Sequence, residues 1–290
     1  MTVTGALRES ARALKAVAGD AAGLEARLLL AHALGRDAAW LIAHSDARVD
    51  DAMLAEVRAL VARRAQGEPV AYVTGTAWFY GRAFEVGPDV LVPRPETELV
   101  VEAALDDLRA KALRGKRPRV CDVGTGSGAI ALTIAAEAPG ARVTASDRSQ
   151  AALEVARRNA RRLGVDGRVR LLAGDLEEPL LPEAPFDCVV ANLPYVPTGD
   201  VPAKPDAVGF EPRLAVDGGA DGLVLYRRLV AALPRLLAGG GSAFLEAAPA
   251  TVPALAELAA RTLPAAHVEI GEDYAGLERW VAVTLPEKIR

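Results

Sequence analysis

Residues 119 to 147, RVCDVGTGSGAIALTIAAEAPGARVTASD, run from an apolar strand pattern through three closely spaced glycines into a helical stretch and out into a second strand. A strand, a crossover helix and another strand pair in parallel, and a parallel sheet is covered by helices on both faces because its strands are apolar on both sides. The alternation continues downstream. Strand patterns recur at VRLLAG, FDCVVAN and GSAFLEA, and helical ones near 96–113, 149–163 and 252–263 and in GLVLYRRLVAALPRLL. The chain closes on AHVEIGED and RWVAVTL, a pair that suits an antiparallel hairpin at a sheet edge. The expectation is an α/β domain on a largely parallel sheet.

Upstream the texture differs. Residues 6 to 66 are rich in Ala, Leu and Arg, with apolar positions at helical spacing such as Leu24, Leu28, Leu29, Leu54, Val57, Leu60 and Val61. Gly19, Gly23, Gly35 and the segment SDARVDD interrupt them, so four or five short helices in a small bundle are expected. Residues 67 to 98, GEPVAYVTGTAWFYGRAFEVGPDVLVPRPETE, alternate aromatic and β-branched residues around Gly75, Gly81 and Gly87. That is the pattern of a hairpin linking two domains. The expected division is a helical domain over residues 1–75 and a larger domain over 76–290 that includes the hairpin.

Charge and residue usage narrow the ligands. The 34 Lys and Arg nearly balance the 38 Asp and Glu, and residues 1 to 75 hold nine of each sign, so no direct binding of nucleic acid is expected. His32, His44 and His267 are scattered without metal-ligand spacing, and no metal site is expected. Cys121 and Cys188 lie in strand patterns and read as reduced core residues, which suits a cytoplasmic protein. No apolar run reaches the ~18 residues of a membrane span, and the first residues lack the basic-then-apolar pattern of a secretion signal. A cytoplasmic monomer without a membrane partner is the expected form.

Gly124, Thr125, Gly126, Ser127 and Gly128 lie between a strand and a helix, where glycine allows a tight turn and close backbone approach to a ligand. The pattern is G-x-G-x-G, with Ala129 where a dinucleotide fingerprint has its third glycine. Asp122, two residues before the loop, would repel a pyrophosphate but suits a ligand bearing an ammonium and a sulfonium, as S-adenosylmethionine does. Asp147 ends the next strand at a spacing where a carboxylate accepts hydrogen bonds from both ribose hydroxyls. Asp175 ends the third strand, near the place of an adenine amino group. Any one of these carboxylates suits a helix cap equally well. Three of them at the ends of successive strands, beside a glycine loop, point to a ligand site at the switch point of the sheet.

The fourth strand ends in Asn192, Leu193, Pro194 and Tyr195. An amide nitrogen is a poor nucleophile because its lone pair is delocalised, and a methyltransferase helps by holding both N–H groups with acceptors. The Oδ1 of Asn192 and the carbonyl of Leu193 are two such acceptors. Pro194 fixes φ and removes a competing donor, and Tyr195 offers a flat face on which a planar amide or base can stack. A plain turn capping a buried strand would use the same residue types. In register with the glycine loop and its carboxylates, the catalytic reading is the stronger.

Taken together, GEPVAYVTGTAWFYGRAFEV, VLVPRPETELVVEAAL, DVGTGSGAIAL, Asp147 and EPRLAVDGGADGLVLYRRL resemble, in order and over almost the whole chain, the class I S-adenosylmethionine-dependent methyltransferases that modify a glutamine side-chain amide in bacterial peptide-chain release factors. The resemblance implies a seven-stranded Rossmann-like sheet with its last strand antiparallel, preceded by a helical domain that helps to dock the release factor. It implies S-adenosylmethionine as cofactor, contacted by Gly124 to Gly128, Asp147 and Asn192, with Leu176 beside the adenine. Asn192 to Tyr195 would hold the glutamine of a Gly-Gly-Gln loop. Two departures stand out. Leu193 replaces the first proline of the usual Asn-Pro-Pro-Tyr, which leaves the loop less preorganised by about 0.4–1 kcal/mol. Ala247, Ala248 and Pro249 follow Glu246 where an apolar residue and a glycine are usual. Asn-Leu-Pro-Tyr is the form found in ribosomal RNA adenine dimethyltransferases, so an adenine amino methyltransferase acting on rRNA or DNA is the alternative. A non-catalytic module that only binds the cofactor or the release factor is a further one.

Overall fold

The computed structural model describes residues 1–113, 115 and 117–287. They form two compact units, one of Met1–Thr76 with Pro202–Phe210 and one of Ala77–Val201 with the chain from Glu211 onward.

The first unit contains helices α1 (Val3–Ala18), α2 (Ala22–Leu34), α3 (Ala38–Ala43), α4 (Asp51–Ala65) and α5 (Val70–Thr74). Local capping sets three of their starts: side-chain oxygens of Thr2, Asp37 and Asp50 accept from the backbone N–H three residues on. Ala22, Ala26, Leu29 and Leu30 of α2 face a core shared with Leu14, Leu54, Val57 and Val61. Leu24 and Leu28, placed by spacing alone among the packing positions, are instead 58% and 47% exposed. The small residues Ala22 and Ala26 occupy the inner stripe and turn those leucines outward.

The second unit opens with a hairpin, β1 (Thr76–Phe79) and β2 (Arg82–Glu85), turning at Tyr80 and Gly81 with φ of 51° and 69°. Then come α6 (Pro95–Leu113), β3 (Arg119–Val123), α7 (Ala129–Glu137), β4 (Arg142–Asp147), α8 (Gln150–Arg162), β5 (Val169–Ala173), β6 (Phe186–Ala191) and α9 (Arg213–Val216). α10 (Val224–Leu236), β7 (Leu237–Glu246), α11 (Val252–Thr262), β8 (His267–Glu272) and β9 (Glu278–Thr284) complete it. The sheet order is β5-β4-β3-β6-β7-β9-β8, and β9 alone runs against its neighbours. This is the α/β sheet that the sequence pattern predicts, with the closing antiparallel pair at one edge.

Strand residues alternate between two cores. Val120, Cys188, Val190 and Phe244 pack with α6, α7 and the hairpin's Phe79 and Phe84, whereas Cys121, Val123, Val189, Ala191 and Leu245 pack with α10 and α11. Both cysteines are free and buried. Among the described residues no helix is long and apolar enough to cross a membrane.

The hairpin is tied down by one buried amide. Asn159 of α8 accepts from Glu85 N–H at 2.7 Å and donates to the carbonyls of Glu85 and Ser127 at 3.0 and 2.9 Å. It joins hairpin, helix and glycine loop, and its own amide is fully buried, so losing it leaves polar groups unpaired. Asn159→Ala should lower the free energy of unfolding by about 3 kcal/mol, measured by urea denaturation.

Candidate active site

Register brings the predicted residues together. Val123 of β3 pairs with Ser146 of β4 and with Ala191 of β6, and Ala191 pairs with Leu245 of β7. The next residue on each strand therefore forms a row at the carboxyl edge of the sheet: Gly124, Asp147, Asn192 and Glu246. A cleft opens along this edge, lined by Gly124 to Ser127, Asp147, Asp175, Leu176 and Asn192 to Pro194, with Val90, Leu91, Pro93 and Thr97 on another wall. Gly128 starts α7 at φ 85° and does not line the cleft.

The glycine loop is held from below and from the side. Gly124 has φ 75°, and a Cβ there would come within 3.0 Å of Leu193 Cδ2, so loop and tetrapeptide pack directly on each other. Gly126 N–H donates to Asp147 Oδ2 at 2.9 Å, and Ser149 N–H donates to Asp147 Oδ1 at 2.8 Å. Each oxygen retains a lone pair for the cleft, so Asp147 can serve the loop and two hydroxyl donors together. Burial, foremost, raises its pKa, and those two backbone bonds hold it down. Asp122 has a different post from the one its spacing suggests. It is fully buried and does not line the cleft. Its Oδ2 accepts from Thr125 Oγ1 at 2.6 Å and from Ala131 N–H at 3.2 Å, bracing the loop against the start of α7.

Beyond β5, Asp175 pairs with Arg228 at 2.6 Å. Leu176 sits at φ 47°, a conformation that costs a side-chain-bearing residue about 1–2 kcal/mol, and its carbonyl accepts from Ser146 Oγ at 3.2 Å.

The tetrapeptide is pinned on three sides. Asn192 Nδ2 donates to Thr97 Oγ1 at 3.1 Å. Leu193 N–H donates to the Tyr226 hydroxyl at 3.1 Å, and that hydroxyl donates to the Glu246 carbonyl. Leu193 O lies 3.5 Å from the same hydroxyl, whose one proton goes to the shorter contact, so the carbonyl keeps its accepting capacity. Tyr195 is half-buried, its pKa pushed up to about 12 by burial and then by Glu246. It is thus a neutral phenol at physiological pH.

Beneath it, a Cβ on Gly222 would meet Tyr195 O at 2.2 Å, and one on Gly218 would meet Pro194 O at 2.6 Å. The DGGADG segment is therefore a glycine bed on which the tetrapeptide backbone lies. Val196 N–H donates to Val216 O, and Gly218 N–H donates to Val196 O.

Sequence reasoning missed four supporting groups: Thr97, Glu211, Tyr226 and Glu246. The stretch Arg94 to Glu98 carries several of the links. Arg94 pairs with buried Glu211, which also accepts from Val92 N–H at 3.0 Å. Glu96 approaches Arg279 at 3.7 Å, and Glu98 accepts from Tyr80 N–H at 2.7 Å. A polar run of this kind just before an apolar helix was the available signal. At the second departure, Ala247 is buried and donates to Arg279 O at 2.9 Å, while Ala248 O accepts from Thr251 and Val252 to open α11.

Known proteins fit this geometry. Residues 5–75 match the PrmC N-terminal domain, and residues 120–204 match a methyltransferase domain. A release factor glutamine methyltransferase of Moorella thermoacetica is 42% identical over 279 residues, covering 96% of this chain and 97% of that one. One from Bordetella pertussis is 47% identical over 223 residues, covering 77% and 80%. A methyltransferase structure from Pyrococcus furiosus, 19% identical, has a TM-score of 0.52 over 78% of this chain and 97% of that one, which shows a shared fold.

Two consequences of the site's polar anatomy are measurable. Burial pushes Asp122 up to about 7 from an ordinary 3.8. A carboxyl that protonates more readily when folded stabilises the fold below its unfolded pKa, and this contribution is lost as pH rises through the folded value. Stability should fall from pH 3.8 to about 7, and Asp122→Asn, which keeps an oxygen for Thr125 and Ala131, should make the fall of urea midpoint with pH shallower, the remainder belonging to Glu246, which is also raised to about 7. Leu193→Pro removes the N–H that donates to Tyr226 and leaves that buried hydroxyl without it, so its urea stability should fall by about 1–3 kcal/mol.

Proposed function

The chain belongs to the release factor glutamine methyltransferases, and from that premise we infer that it transfers a methyl group from S-adenosylmethionine to the side-chain amide nitrogen of the glutamine in the Gly-Gly-Gln loop of peptide-chain release factors. The observation that carries the reading to the level of residues is the state of Asn192. Its Nδ2 is engaged by Thr97, so its Oδ1 is the end presented to a substrate N–H.

The residues along the cleft suit the cofactor. The glycine loop brings backbone close without side chains, Asp147 keeps acceptors for hydroxyl groups, and Asp175 and Leu176, which line the same cleft, are read as the wall against the adenine. When bound, S-adenosylmethionine supplies an electrophilic methyl on a sulfonium. Asn192 Oδ1 and Leu193 O accept the two N–H bonds of the target amide, and their partial negative charge is placed where the attacking nitrogen becomes positive. Tyr195 packs against the amide plane and, staying neutral, acts as a surface and not as a base. The remaining barrier is mostly one of alignment of nitrogen, methyl and sulfur.

The first unit is read as the substrate-docking domain. Leu24 and Leu28, one turn apart and both exposed on α2, supply apolar surface that its own core does not use. An adenine amino group could be served by the same acceptors, but the kinship over nearly the whole chain lies with the glutamine enzymes. The near balance of charge over the whole chain also gives no general pull on rRNA or DNA. The enzyme would meet its release factors in the cytoplasm.

Incubating the protein with a release factor and cofactor should add one methyl to the loop glutamine, read by mass spectrometry of the peptide; label in RNA alone would sink the reading. Asn192→Ala should abolish transfer while cofactor affinity stays within about tenfold, since the lost group mainly organises the nucleophile.

A further inference from the structure

Glu246 is a carboxylate without an obvious employer. It ends β7, one strand over from Asn192 in the row at the sheet edge. It is 3% exposed, and its Oε2 has no hydrogen-bond partner among the described residues. The charged and titratable groups that face it come from several elements: Arg94 just before α6 and Glu96 in its first turn, Arg279 of β9, Tyr195 after β6, and Tyr226 of α10. The cations are committed elsewhere. Arg94 pairs with Glu211, and Arg279 pairs with Asp273 at 2.8 Å. The Tyr226 hydroxyl is spent on the Glu246 backbone carbonyl. Among the groups around the carboxylate, the Thr97 hydroxyl is the neighbour that favours its charged form as a donor. That same Oγ1 accepts from Asn192 Nδ2 at 3.1 Å.

A hydroxyl has one proton and two lone pairs. If its proton is drawn to an ionised Glu246, it faces Asn192 with a lone pair, and Asn192 must answer with Nδ2. Its Oδ1 is then turned to the cleft. If Glu246 is protonated, it can donate to Thr97, whose own proton then turns to Asn192. The amide rotates and presents NH2 to the NH2 of the substrate, donor against donor. We propose that Glu246 is a positioning residue that, through Thr97, sets which end of the Asn192 amide meets the nucleophile. This rests on the methyl-transfer reading above, and it gives the buried carboxylate a role that a core position would not require.

The relay makes turnover depend on the ionisation of Glu246. Burial, first, and then Glu96 raise its pKa to about 7, against the Thr97 hydrogen bond, Arg279 and Arg94. The productive form is the charged one, so kcat falls as pH drops through that value. Asp122 titrates in the same range, but it braces the glycine loop, and its effect would fall on cofactor affinity.

The test uses the full chain with a release factor substrate. Wild-type kcat, read at saturating cofactor so that any change in affinity through Asp122 does not enter, should rise with pH through about 7. Thr97→Val, which keeps the shape and removes the hydroxyl, should lower kcat roughly tenfold or more and abolish the step. Thr97→Ser should restore the step, and Glu246→Gln should remove it. The side-chain amide resonances of Asn192, assigned by their loss in Asn192→Ala, should shift with the same midpoint in wild type and stay fixed in Glu246→Gln. A pH step and rate that survive in Thr97→Val, or an Asn192 resonance that titrates unchanged in Glu246→Gln, would overturn the relay. Absence of any transfer to the glutamine would instead refute the substrate assignment, and the resonance titration would still decide the relay.

Discussion

The parallel pairing of β3 with β4 on one side and β6 on the other is the constraint on which the site depends. Because the pairs Val123–Ser146 and Val123–Ala191 are in step, Gly124, Asp147 and Asn192 arrive at one level without any loop having to find them. A slip of one residue in either pair would turn its strand over and send these groups to the wrong face. The ladder is buried beneath helices on both faces, so the position of the ligand groups is as rigid as the core itself.

What the ladder does not fix, two devices do. One is close backbone contact, allowed by glycine: Gly124 over Leu193, and Gly218 and Gly222 under Pro194 and Tyr195. The other is a set of short polar side chains with most of their capacity in use. Asp122 holds the loop to its helix, Asn159 holds the loop to the hairpin, and Thr97 holds Asn192. Each is buried, where a hydrogen bond is costly to leave unmade, and each removes a degree of freedom from a group that faces the cleft.

The elements themselves were legible because they follow from local pattern. The βαβ alternation, the glycine loop, Asp147 at a strand end and the closing antiparallel pair could all be read from spacing, and the structure has them. Residues whose meaning depends on register were not legible. Glu246 reads as the polar end of an apolar strand until its neighbour across the sheet is known to be the strand of Asn192. Thr97 lies 95 positions from Asn192 and reads as part of a capping run. Asp122 had the right loop but the wrong side of it, since a strand residue two places before a turn can point to the ligand or to the helix behind. Leu193 looked like a loss of stiffness because a proline's constraint is visible in sequence, whereas a hydrogen bond to Tyr226 is not. On α2, the periodicity of leucine misled because alanine took the buried stripe.

The first unit is not continuous in sequence. Residues Pro202–Phe210 belong with Met1–Thr76, and within that unit a Cβ on Gly67 would lie 1.8 Å from Pro205 O. The chain thus leaves this unit, builds four parallel strands of the sheet, and returns to it before adding the rest. On the ribosome, where domains otherwise fold in the order in which they emerge, the helical bundle would have to wait for residues beyond the tetrapeptide before its last piece is available. Its assembly is in this way placed in series with that of the sheet that holds the glycine loop, so a chain stopped short of that return would lack both a finished first unit and the remaining strands of the sheet.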